Sequence, residues 1–180
     1  MFINICSSFQ EENKMNQTIM IVAGVVVIWA VLFVVMMSFQ KKRKAGEQQF
    51  NADNAYKALL HLYCDHVAID GNSLSTFSHT KGEYMQTIVA LEPGQHRLEG
   101  VFRSTEAGVT GNKNLVSEKL SIDIDLEAGH VYSAAMYFYS AEDRNEYYKG
   151  QTGKAIAEVP LSIVKGSDQV KAYVIVYEEQ

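Results

Sequence analysis

The chain has 180 residues and a formal charge of −5, from 16 Lys and Arg against 21 Asp and Glu. Beyond Lys44 the balance is 11 cations against 19 anions, a charge of −8 with no basic stripe, which argues against nucleic-acid binding because such binding rests on neutralising phosphates. The two cysteines, Cys6 and Cys64, lie in separate segments, so the C-terminal part can form no internal disulfide, in keeping with a reducing compartment.

The first 17 residues form a short tail. Within it, Gln10-Glu11-Glu12 can be encoded by a purine-rich stretch that resembles a bacterial ribosome-binding site just ahead of Met15. Two readings follow: Met15 is the start and 1–14 are not translated, or the tail is a disordered extension.

From Ile19 to Met37 the sequence IMIVAGVVVIWAVLFVVMM carries no charge and no proline. As a helix it is roughly 28 Å long, close to the roughly 30 Å hydrocarbon core of a bilayer. A lone segment in lipid must satisfy its own backbone hydrogen bonds, which selects helix over strand despite the β-branched Val25 to Ile28. The expectation is one transmembrane helix over 18–39. A buried core helix would need other elements to surround it, and none is in sight. A cleaved signal peptide would place its basic residues before the apolar run, whereas Lys41-Lys42-Arg43-Lys44 follow it. That basic flank suits anionic headgroups and, by the positive-inside rule, places the C-terminal domain in the cytoplasm, with an extracytoplasmic domain as the alternative. A bacterial cytoplasmic membrane is the expected location.

Residues 40–54 read as the basic flank and a polar linker, and 55–180 as a β-rich domain. Asp53 to Tyr63 is ambiguous. Tyr56, Leu59, Leu60 and Tyr63 recur at helical spacing, while Leu60, Leu62 and Cys64 alternate. Strand is favoured, with a bulge or break near Asp65, where the apolar parity switches. Asp70-Gly71-Asn72 signals a tight turn. Met85–Leu91 is a strand, Glu92-Pro93-Gly94-Gln95 fits a type II turn, and Arg97–Phe102 returns. Ser104 to Asn114 reads as a polar loop. Leu120, Ile122, Ile124 and Leu126 alternate with Ser121, Asp123 and Asp125, the pattern of a half-buried strand. Val131–Tyr139 follows the Glu127-Ala128-Gly129-His130 turn, with Tyr132, Met136 and Phe138 on one face. A polar loop from Ser140 to Lys154, a strand over Ile156–Val164, a Lys165-Gly166-Ser167-Asp168 turn and a strand over Val170–Tyr177 complete the chain. Pro160 marks an edge or a bulge, since it removes a ladder donor. The fold expected is mainly β: an antiparallel sandwich of about seven strands preceded by one transmembrane helix.

Val67-Ala68-Ile69-Asp70-Gly71 together with Leu91-Glu92-Pro93-Gly94-Gln95-His96-Arg97-Leu98 resembles PEGA-type domains, and also small bacterial membrane or lipoprotein domains in which a DG hairpin precedes a PG-x-H turn. The likeness covers about 35 residues directly. It implies a β-sandwich at the cell envelope and no catalysis.

Candidate chemistry is sparse. His61, Cys64, Asp65 and His66 are the one cluster of ligand types, and a closed zinc site would need further ligands such as His79, His96 or His130. A buried cysteine beside strand histidines is the simpler reading, and a Cys64–His66 nucleophile pair lacks a readable oxyanion site. Asp123 and Asp125 could pair for acid–base work or calcium, but they alternate with isoleucines as a solvated strand face does. Gly150-Gln151-Thr152-Gly153-Lys154 lacks phosphate-loop spacing. Tyr137, Tyr139, Tyr147 and Tyr148 cluster around the 140–154 loop and, where exposed, would make an interaction surface. No catalytic, cofactor or metal residue is assigned. The function expected is a non-catalytic, membrane-anchored binding or assembly module with a protein partner and the bilayer as its contacts. A small-ligand or metal sensor is the alternative.

Overall fold

The computed structural model describes residues 3–108, 111–165 and 171–179, and their side chains except at 3–18 and 106–108. Helix α1 runs unbroken over Ile3–Asp53. Its apolar side chains are exposed all round, including Trp29 at 70%, Leu32 at 60% and Val34 at 65%. An apolar surface with no polar face is what lipid, not water, accommodates. This helix is long and apolar enough to cross a membrane.

The stretch read as a polar linker is helical as far as Asp53. Its Lys, Arg, Glu, Gln and Ala are good helix formers, with only Gly46 opposing them. The chain forms two compact units, Met1–Arg43 and Lys44–Gln180. In the second, Glu47 accepts the Glu83 amide at 2.7 Å, which ties the last turns of the helix to a turn of the β domain.

Among the described residues the domain holds eleven strands, more than the seven or so expected. They are β1 (Ala58–Leu62), β2 (Cys64–Ile69), β3 (Asn72–Ser73), β4 (His79–Lys81), β5 (Thr87–Leu91), β6 (Gly94–Gly108), β7 (Gly111–Leu126), β8 (Val131–Tyr137), β9 (Lys154–Leu161), β10 (Ile163–Lys165) and β11 (Ala172–Glu178), with a short helix α2 (Ala141–Tyr147) between β8 and β9. The additional strands are short ones, too brief for a period of two to show. One sheet has the order β4-β5-β1-β8-β11-β9 and the other β10-β7-β6-β2-β3. Among the described residues all strand pairings are antiparallel except β1 with β8. Pro160 lies on β9, an edge strand, where a residue without an N–H is tolerated.

The core lies between the two sheets. Leu60, Leu62, Val89, Leu91, Tyr132, Ala134, Val174 and Val176 meet Ile69, Leu98, Phe102, Ile122, Ile124 and Leu126, all nearly inaccessible. The alternation read in β7 is real: Ile122, Ile124 and Leu126 are buried and Ser121, Asp123 and Asp125 exposed.

Connections decide the architecture. At Tyr63 the chain leaves one sheet and enters the other, and the ladder of β2 slips between Asp65 and Ala68, with His66 at φ 52°. The parity switch near Asp65 thus records both a sheet change and a bulge. The β2–β3 turn has Asp70 and Gly71 at φ 51° and 74°, the positive pair of a tight hairpin turn. The Glu92–Gln95 and Glu127–His130 turns do not close hairpins; each carries the chain from one sheet to the other. In the second, the buried Tyr132 hydroxyl accepts the Glu127 amide at 3.0 Å and so pins the corner from inside.

Two loops expected from polarity are regular structure. Residues 104–108 and 111–114 pair as the far end of the β6–β7 hairpin, with Thr105 donating to Asn114 at 3.1 Å. The sequence of this arm carries no apolar alternation to mark it. The 140–154 loop contains α2. The 165–168 turn falls largely outside the described residues.

Candidate functional site

Helix α2 forms because its start is capped. Ser140 accepts the Asp143 amide at 3.1 Å, Glu142 and Asp143 lie in the first turn, and Glu158 on β9 accepts the Ala141 amide at 3.1 Å. It stops where the Gly150 amide returns to the Asn145 carbonyl at 2.8 Å. The chain then passes close under β11: a Cβ on Gly153 would collide with the Glu178 carbonyl.

Arg144, the one cation of α2, turns onto the sheet. Its guanidinium carbon lies 4.0 Å from the ring centre of Tyr137, 5.3 Å from that of Tyr148 and 5.9 Å from that of Tyr177. Tyr137 on β8 meets Tyr177 on β11 edge to face at 5.7 Å, and Tyr147 meets Tyr148 in the same way at 5.0 Å. Each close guanidinium–ring contact contributes about 0.5–2 kcal/mol, more as water is excluded. Burial raises the Tyr137 phenol above its ordinary pKa, with the Arg144 charge acting in the opposite direction.

Two polar atoms in this stack are buried without a hydrogen-bond partner among the described residues: Arg144 Nε and the Tyr177 hydroxyl. Two depressions flank Arg144. One, of about 720 Å³, is lined by Tyr139, Asp143, Arg144, Glu146, Tyr147 and Tyr148. The other, of about 370 Å³, includes Tyr137, Tyr177, Glu178 and Glu179 in its walls.

The four tyrosines singled out from the sequence therefore divide. Tyr137 is a packing residue beneath Arg144. Tyr139, Tyr147 and Tyr148 are 65%, 79% and 47% exposed and share one groove. Arg144 and Tyr177 were not foreseen. Tyr177 ends the strand expected over Val170–Tyr177, but Arg144 acquires its place only once α2 is known to be a helix.

The histidine and cysteine cluster is taken apart by the sheet change at Tyr63. His61 stays in the first sheet, buried, with Nδ1 at 2.9 Å from a Glu179 carboxylate oxygen and Nε2 without a partner. Cys64 lies in the second, where burial pushes its thiol up to about 12, opposite to what a nucleophile needs. Asp65 pairs with Arg103 at 3.0 Å and His66 is exposed on the bulge. The other histidines have separate partners: His79 the Phe77 carbonyl, His96 Asp70 and the Glu92 carbonyl, His130 Glu178. Among the described residues no three His, Cys, Asp or Glu side chains converge as metal ligands would. Asp123 receives a two-pronged bond from Arg97 at 2.7 and 3.1 Å, beside an exposed Asp125. The basic flank, Lys41 to Lys44, is exposed on α1 at the end of the apolar run.

No protein family, curated protein or solved structure matches this chain.

Proposed function

We propose that this chain is a membrane-tethered, non-catalytic binding module that engages a protein partner through the surface of α2. One observation carries the reading: Tyr139, Tyr147 and Tyr148 stand largely in water around a guanidinium already fixed against three rings. Tyrosine and arginine dominate the energetics of protein interfaces, and a patch held in place before contact loses little entropy on binding. Helix α1 supplies the tether, confining the domain near a bilayer and raising its effective concentration there. The Lys41–Lys44 flank supports a cytoplasmic domain at the bacterial inner membrane, with the charges held at anionic headgroups.

The test is extraction of the full-length protein in mild detergent, followed by co-purification. A stoichiometric partner is expected from wild type and is lost when Tyr147→Ser and Tyr148→Ser are combined. A partner retained undiminished by that variant would move the interface elsewhere, and a monomer with no partner would end the reading. A topology reporter fused after Gln180 decides the side of the membrane.

A further inference from the structure

We propose that the groove and cleft flanking Arg144 receive a lysine- or arginine-bearing segment of the partner protein. The proposal rests on the binding-module reading and names the chemistry of the partner.

Three acidic side chains, Asp143, Glu146 and Glu179, belong to the residues that line the two depressions on this face, against one guanidinium, Arg144. That guanidinium faces the rings. Among the described residues, Asp143 and Glu146, which line the groove, stand in no ion pair with a cation. A cation in the groove is attracted by both carboxylates; an anion is repelled. The exposed rings of Tyr139, Tyr147 and Tyr148 supply π faces, which attract ammonium and guanidinium groups and not carboxylates.

The cleft adds an independent observation. Tyr177 is only 6% exposed, lines the cleft, and has a hydroxyl without a hydrogen-bond partner. A buried polar group left unpaired is costly. Its oxygen can accept from an ammonium or guanidinium placed between it and the Glu179 carboxylate. The Glu179 carboxylate lies 2.9 Å from the Nδ1 of His61, which shares the outer sheet face with Tyr177.

The experiment titrates full-length protein in zwitterionic nanodiscs with hexalysine and, separately, hexaglutamate, by calorimetry. Hexalysine is expected to bind saturably and hexaglutamate not to bind. Raising salt to about 1 M, where the screening length is about 3 Å, is expected to weaken binding at least tenfold. Asp143→Asn with Glu146→Gln weakens it about tenfold, as does Tyr147→Ser with Tyr148→Ser, which leaves the charge unchanged. Glu146→Gln alone serves if the double variant unfolds. Glu118→Gln with Asp125→Asn removes the same charge elsewhere and is expected to change nothing. Equal weakening by that control pair, or binding of hexaglutamate, overturns the proposal. If the co-purifying partner is lost on tyrosine replacement but ignores salt and the Asp143 and Glu146 variants, the binding module stands and the cationic segment does not.

Discussion

The carboxylate of Asp70 joins two turns that are distant in sequence. It lies 2.7 Å from the His96 Nδ1 and accepts the Arg97 amide at 2.8 Å, while His96 Nε2 lies 2.7 Å from the Glu92 carbonyl. Both ring nitrogens thus face acceptors, an arrangement that the doubly protonated imidazolium satisfies. The β2–β3 hairpin turn is in this way fastened to the β5–β6 sheet crossing.

A pH dependence of stability follows. Partial burial opposes charge on His96, but the Asp70 carboxylate and the Glu92 carbonyl outweigh it and raise its pKa. The Arg97 amide and then His96 lower that of Asp70. The histidine contribution is therefore fully present below its unfolded pKa of about 6.5 and fades as pH rises through the higher folded value. The aspartate contribution is present above about 3.9 and is lost as pH falls through its lowered folded value. Thermal unfolding of the full chain in detergent is expected to show His96→Gln flattening the alkaline decline. An unchanged slope would remove this pair from the account.

Gly153→Ala is expected to destabilise the domain by about 1–3 kcal/mol, since the new Cβ meets the Glu178 backbone and cannot be accommodated by a rotamer change. Denaturant unfolding measures it. Wild-type stability in the variant would mean that β11 and the chain before β9 are not in close contact.

Cys64 is expected to resist alkylation at pH 8 in the folded protein, because burial holds the thiol up to about 12. In a Cys6→Ser background, iodoacetamide should label the chain rapidly only after denaturation. Fast labelling of the native protein would contradict the packing of β2.

Tyr132→Phe removes the hydroxyl that accepts the Glu127 amide and is expected to cost about 1 kcal/mol. Faster hydrogen exchange at Glu127, with the rest of β8 unchanged, is the matching signature. Protection equal to wild type would show that the corner is held otherwise.

The residues that announced themselves were those obeying a period or a turn rule. Leu120 to Leu126 alternate because one face of β7 meets the core, and Asp70-Gly71 supplies the positive φ pair of a hairpin. Turn chemistry did not say which sheet comes next: Pro93-Gly94 and Ala128-Gly129 look like hairpin turns yet cross the sandwich. The arm around Thr105 and Asn114 is a ladder of polar and small residues, and hydrophobic patterning is blind to it. The Ser140 cap of helix α2 is local, but its other holds, Glu158 and the rings of Tyr137 and Tyr177, are partners that only folding brings together. For the same reason the exposed tyrosines were legible as a cluster, whereas the Arg144 and Tyr177 beneath them were not.

The apolar girdle of α1 is the premise under the binding proposal, and membrane fractionation tests it most directly. After cell breakage, the full-length protein is expected to sediment with membranes, to stay there through alkaline carbonate and high-salt washes, and to be released by detergent alone. Recovery of intact, unaggregated protein in the soluble fraction would contradict the tether.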